Sequence, residues 1–145
     1  MKGILVATDG SESAHRAVNY AAAQAKTLGV ELVIANVIGG YGLPESVLEK
    51  LSRGQDVWLK ELLKSQSASL LTEARSLALK AGLKLIRLES REGEVAATLI
   101  RLAGELEVDV IVVGKRGAGR AAGLLLGSVS QKLVSLAPFP VTVVP

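Results

Sequence analysis

The chain has 145 residues, the size of one ordinary domain, and a chain of that length buries roughly 70% of the surface its unfolded form exposes. Hydrophobic residues make up 49% but aromatics only 3%, so the core is built from Val, Ile, Leu and Ala, as in buried parallel strands flanked by Ala-rich helices. The absence of cysteine excludes disulfides, a thiol nucleophile and thiolate metal sites. The net charge of +3 is unevenly spread: all 14 acids lie at or before Asp109, whereas Lys115, Arg116, Arg120 and Lys132 follow it with no acid among them.

Gly3 to Thr8 is a short apolar, β-branched run that reads as a first strand. Asp9-Gly10-Ser11 then supplies turn and helix-cap chemistry. The first helix is predicted from about Ser11 to Leu28, with Ala14, Val18, Ala21, Ala22 and Ala25 inward and Gly29 as its stop. Glu31 to Val37 reads as a second buried strand. A glycine loop at residues 39–42 follows, and Pro44 suits the first turn of the next helix. The repeat of Leu59, Leu63, Leu70, Ala74, Leu77 and Ala81 predicts a long helix over residues 44–81, bent or broken at Gly54 and ended by Gly82. Leu83 to Glu89 alternates as a third strand, and Gly93 to Leu106 reads as a shorter helix. Val108 to Val113 is the most strand-like run and stops at Gly114. The stretch from Leu124 to Ala137 holds the last helix, and Pro138-Phe139-Pro140 turns the chain into a final strand, Val141 to Val144.

Five strands joined mostly by helices predict an α/β protein with a parallel sheet covered on both faces. Such sheets take ligands outside the carboxyl ends of the strands, where the strand order reverses. The loops after the first and fourth strands, at Asp9-Gly10 and from Gly114 onward, both lie at that end.

The second of these loops carries most of the functional signal. Five of the 15 glycines fall between Gly114 and Gly127, after a buried strand and just before a helix. Glycine allows close backbone approach to a ligand, and successive amides can cradle an anion. Gly127-Ser128 adds the unpaired N–H groups and positive dipole of a helix start, which favour phosphate. The hydroxyls of Ser128 and Ser130 are further donors; an ordinary Ser helix cap would also account for Ser128. Two other glycine motifs fit less well. Gly117-x-Gly119-x-x-Ala122 lacks the downstream acid of a dinucleotide site, and Gly114-Lys115 is followed by Arg116 instead of Ser or Thr.

These residues resemble the universal stress protein family, whose nucleotide-binding members carry Gly, two residues, Gly, nine residues, Gly, then Ser or Thr. Gly114, Gly117, Gly127 and Ser128 fit that spacing, and Val129-Ser130 continues it. The resemblance extends to Ile4-Leu-Val-Ala-Thr8-Asp9-Gly-Ser11, to Glu107-Val-Asp-Val-Ile-Val-Val-Gly114 and to Ala137-Pro-Phe-Pro-Val-Thr-Val-Val144. It implies a Rossmann-like five-stranded parallel sheet of order 3-2-1-4-5 with ATP, and possible Mg2+, at the switch between strands one and four. By position, Thr8 and Asp9 would lie near the ribose and adenine, and Val37 would pack on the base. Gly114, Gly117, Gly127, Ser128, Val129 and Ser130 would hold the phosphates. Lys115-Arg116 departs from the usual pattern and would either tighten phosphate binding or face solvent.

Asp9 could equally be a local cap on the Gly10 and Ser11 amides. His15, inside the first helix with no matched acid in the sequence, reads as a surface or packing residue, and Trp58 and Tyr41 as packing or loop residues. So few aromatics argue against a nucleic-acid groove. The carboxylate cluster of a phospho-receiver domain is missing, as are a water-activating base and an arginine finger. The expectation is one domain over residues 1–145, cytoplasmic and not in a membrane: a regulatory nucleotide-binding protein without efficient catalysis. A slow ATPase that uses Asp9 and magnesium, or a nucleotide-free dimerisation module, are the competing readings. The apolar edge strand Val141 to Val144 invites a partner, so a homodimer is expected through it.

Overall fold

The structure, a computed structural model, describes residues 1–39, 49, 53, 57–116 and 126–145. The predicted features at Gly40 to Pro44, the Gly54 bend, and Gly117, Gly119 and Gly123 lie outside the described residues.

Five strands, β1 (Gly3–Ala7), β2 (Glu31–Ile38), β3 (Ile86–Glu92), β4 (Val110–Gly114) and β5 (Val141–Val144), pair in the order β3-β2-β1-β4-β5. Every pairing is parallel. This is the predicted order, and it puts the reversal of direction between β1 and β4. Helices α1 (Glu12–Leu28), α2 (Val57–Lys80), α3 (Val95–Glu105) and α4 (Ser128–Leu136) cover the sheet.

Alternation along the strands sorts the core into two layers. Ile4, Val6, Leu32, Ile34 and Val112 face the alanine stripe of α1 and Leu71, Ala74 and Ala78 of α2. Leu5, Val33, Ala35, Val37, Ile111 and Val113 face Leu99 and Leu102 of α3 and Leu133 of α4. Small alanines on α1 let that helix lie close to the central strands.

Helix α1 begins as its sequence dictates. Ser11 takes an extended conformation and its hydroxyl accepts from Ala14 N–H at 3.1 Å, while Glu12 complements the dipole in the first turn. The helix ends at Gly29.

The third strand departs from expectation. Leu83 to Glu89 alternates in sequence, but β3 runs Ile86–Glu92. Leu83 belongs to the turn after α2: its N–H donates to Ala78 O at 3.2 Å and its side chain is buried under the helix. Sheet contact starts where Leu32 N–H meets Leu85 O at 2.9 Å. The fourth strand likewise starts two residues late, at Val110, and includes Gly114.

Candidate functional site

The exit of β1 is a compact polar turn. Thr8 N–H continues the ladder to Ala35 O at 2.9 Å, and the buried amide of Asn36 donates to Thr8 O at 2.7 Å. The Thr8 hydroxyl accepts from Gly10 N–H at 3.2 Å, and Asp9 Oδ1 accepts from Ser11 N–H at 2.9 Å. Asp9 therefore does serve as a cap on Ser11. Gly10 has φ 82, so the turn needs glycine, and the end of the Leu70 side chain of α2 packs against it, 2.5 Å from where a Cβ would lie. Asn36 was not singled out in the sequence, although a lone polar residue inside an apolar strand is the signal that marks it.

Continuing the registers Val6↔Val112 and Ala7↔Ala35 sets Thr8 level with Gly114 and Asp9 level with Val37. The sheet thus brings Thr8, Asp9, Val37 and Gly114 to one edge, on three adjacent strands. Val37 is only 5% exposed and packs within the α3 layer. Gly114 faces α1, where a Cβ would lie 2.6 Å from Ser13 Oγ and 2.9 Å from Ser13 C. That contact gives the glycine a packing reason in addition to any ligand.

The two described ends of the glycine-rich segment meet at the main chain of Lys115. Lys115 N–H donates to Val144 O at 2.6 Å, and Lys115 O accepts from Gly127 N–H at 2.8 Å and from the Ser130 hydroxyl at 3.0 Å. The Ser130 hydroxyl also lies 3.1 Å from Gly127 O. Ser130 is 2% exposed, so its proton is engaged in holding the neck of the loop. Gly127 caps α4 in an extended conformation and makes no side-chain cap hydrogen bond. Ser128 is exposed there, Val129 is half-buried against the α3 layer, and the first-turn amides have no partner within the helix. The helix dipole and these donors suit an anion. Gly117 lies outside the described residues.

Helix α3 flanks this end through Glu94, its N-cap. The carboxylate accepts from Ala97 N–H at 2.7 Å and Ala96 N–H at 3.3 Å and meets Lys132 Nζ of α4 at 3.3 Å. Burial alone would push its pKa up, but the Ala97 amide and Lys132 outweigh it and hold the carboxyl below its ordinary 4.5. A depressed folded-state pKa adds stability that is complete above the ordinary value and is lost as pH falls through the folded one. Glu94→Ala is expected to cost about 1 kcal/mol in urea unfolding near neutral pH. That difference from wild type should shrink at about pH 3.

His15, which had no visible partner in the sequence, lies 3.0 Å from Glu73 of α2, joining the two helices of that layer. Trp58 is 73% exposed and stands on the surface of α2, so it packs into no core layer.

The sheet order, the switch at β1 and β4 and the glycine segment before α4 define a doubly wound α/β protein with an anion-compatible strand edge. The chain belongs to the universal stress protein family, whose family model matches residues 1–145. A universal stress protein of Mycobacterium tuberculosis is 34% identical over 153 residues, which cover 99% of this chain and 48% of the relative. The chain thus spans about half the length of that mycobacterial protein. A universal stress protein of Thermus aquaticus is 31% identical over 150 residues, covering 99% of this chain and 98% of the relative. Among solved structures, a universal stress protein in complex with cAMP is 28% identical with a TM-score of 0.71, covering 99% of this chain and 96% of that one. The universal stress protein from Archaeoglobus fulgidus shares the fold with a TM-score of 0.74 at 24% identity, covering 100% of this chain and 94% of its own.

Proposed function

We propose that this chain is an ATP-binding regulatory protein of the universal stress type, one domain over residues 1–145, which works by binding and not by efficient turnover. Thr8 and Asp9 take the nucleoside end and Val37 contributes the apolar edge beside the base. Gly114, Gly117, Gly127, Ser128, Val129 and the backbone of Ser130 surround the phosphates. The observation that carries this reading is the start of α4: an exposed Ser128 and first-turn amides beside Lys115, in a stretch of chain with no acid after Asp109. The cAMP complex of a relative at 28% identity supports an adenine nucleotide as the ligand class. The protein acts in the cytoplasm as a homodimer paired through β5, whose outer edge pairs with no strand among the described residues.

ATP at a thousand times its dissociation constant would stabilise the folded chain by about 4 kcal/mol. Small molecules released from freshly purified protein should include an adenine nucleotide by mass spectrometry. Titration with ATP should release heat and raise the melting temperature. Neither heat nor a thermal shift with ATP, AMP or cAMP would end the proposal.

A further inference from the structure

The sheet has two edges, and β3 forms the one opposite β5. Leu32 N–H meets Leu85 O and Gly93 N–H meets Ile38 O, so the odd-numbered residues of β3 turn their peptide groups toward β2. The N–H and C=O groups of Ile86, Leu88, Ser90 and Glu92 therefore point the other way, where β3 pairs with no strand among the described residues. An edge of that kind is a template for a further strand. One of its carbonyls already draws a substitute donor, since the Arg91 guanidinium lies 3.3 Å from Ser90 O.

The side chains along this edge alternate in sign as well as in face. Arg87, Glu89 and Arg91 share one face. Glu89 is 9% exposed there, and its carboxylate lies 2.8 Å from Arg87 Nε and also meets Arg91. On the face toward α2, Ile86 packs on the core layer and Ser90 Oγ lies 2.8 Å from Ser67 Oγ. Leu88 and Leu85 remain exposed apolar groups at the edge.

A second copy of this strand, run antiparallel about a two-fold axis, must set even residues against even ones, because those carry the free peptide groups. An axis at Glu89 opposes Glu89 to itself and Arg87 to Arg91, and an axis at Arg87 opposes two guanidinium groups; both are repulsive. An axis at Ser90 leaves Leu88 facing the Glu92 carboxylate. With the axis at Leu88, Leu88 meets Leu88, Arg87 meets Glu89, Lys84 meets Glu92, and Leu85 lies beside the aliphatic stem of Arg91. Of these four registers, only the last joins opposite charges and apolar groups together.

We propose that β3 is a self-pairing surface, at which two copies of this chain join antiparallel about Leu88 with Arg87 of each against Glu89 of the other. The contact is separate from pairing through β5, so a chain that used both edges would extend the sheet end to end. It does not depend on a nucleotide being bound.

The chain has no cysteine, so Leu88→Cys introduces a single thiol at the axis, where the two Cα atoms would be about 5.5 Å apart. A short bismaleimide should cross-link that variant into dimers far faster than it cross-links Glu105→Cys, at the exposed end of α3. Adding Arg87→Glu or Glu89→Arg to Leu88→Cys should each cut the cross-linked yield roughly tenfold, since either opposes like charges across the axis. Mixing these two charge variants should restore the yield, because opposite charges then face each other in every mixed pair. A bridge that only steadied its own strand would not be restored by mixing. Cross-linking of Leu88→Cys no faster than that of Glu105→Cys, or a mixture no better than either charge variant alone, would overturn the proposal. Melting curves establish that each variant is folded. If Leu88→Cys does not fold, Arg87→Glu and Glu89→Arg without the thiol are compared by sedimentation, and a mixture that forms no larger species than its components overturns it equally.

Discussion

Replacing Gly127 with Val should weaken ATP binding by roughly a hundredfold, equivalent to about 2.7 kcal/mol. The backbone at Gly127 has φ −71 and ψ 166, a conformation that valine adopts readily, so the substitution acts through its side chain and not through strain. Gly127 is buried at the start of α4, so a branched group there would crowd the first-turn amides that a phosphate would have to approach within hydrogen-bond distance. Two or more charge-assisted hydrogen bonds lost at about 1.5–3 kcal/mol each make up the effect. The measurement is isothermal titration with ATP, paired with a melting curve to show that the chain is folded. An affinity within about threefold of wild type would mean that the phosphates do not approach this helix start.

Gly114→Ala should destabilise the fold by roughly 1–3 kcal/mol, the range for forcing an extra carbon into a packed interior. The new methyl would lie 2.9 Å from Ser13 C and 3.0 Å from Ala14 N as well as 2.6 Å from Ser13 Oγ. The first two are backbone atoms of a capped helix turn and cannot swing aside, so α1 has to move off the sheet. Shortening Ser13 to Ala would therefore not rescue the variant. Urea unfolding should show a lower midpoint with an unchanged slope, and a loss below about 0.5 kcal/mol would show that the helix gives way freely.

The contrast between these two glycines shows what could be read from the residues alone. Both stand in the same spacing pattern, and both read there as places where a ligand comes near. Gly127 opens a helix without any side-chain cap hydrogen bond. For Gly114 the close neighbour is Ser13, about a hundred positions away in the chain, and no local pattern announces such a contact. Helix α1 was legible to within a residue because its start and stop are made by local chemistry, the Ser11 cap and the Gly29 turn. The edge strand β3 was not, because its burial alternates weakly and Leu83 is apolar for the sake of the helix above it. The β3-β2-β1-β4-β5 order came from the family resemblance, since periodicity alone distinguishes strands from helices but does not rank the strands in a sheet. The neck of the glycine segment was invisible for a different reason. It is built largely from peptide groups of Lys115 and Gly127 and the carbonyl of Val144, and peptide groups are common to every residue type.

That neck fastens three things through the main chain of one residue. Through its N–H Lys115 grips the outermost strand, and through its C=O it grips the cap of α4 and the Ser130 hydroxyl. The sheet's rim and the glycine segment are therefore not mechanically independent. The Val144 carbonyl is shared between Lys115 N–H and the Ser13 hydroxyl, so a shift of Lys115 would leave that carbonyl, at the trailing end of β5, held by helix α1 alone. Whatever docks along that rim meets a firmer or a looser border according to what the segment holds.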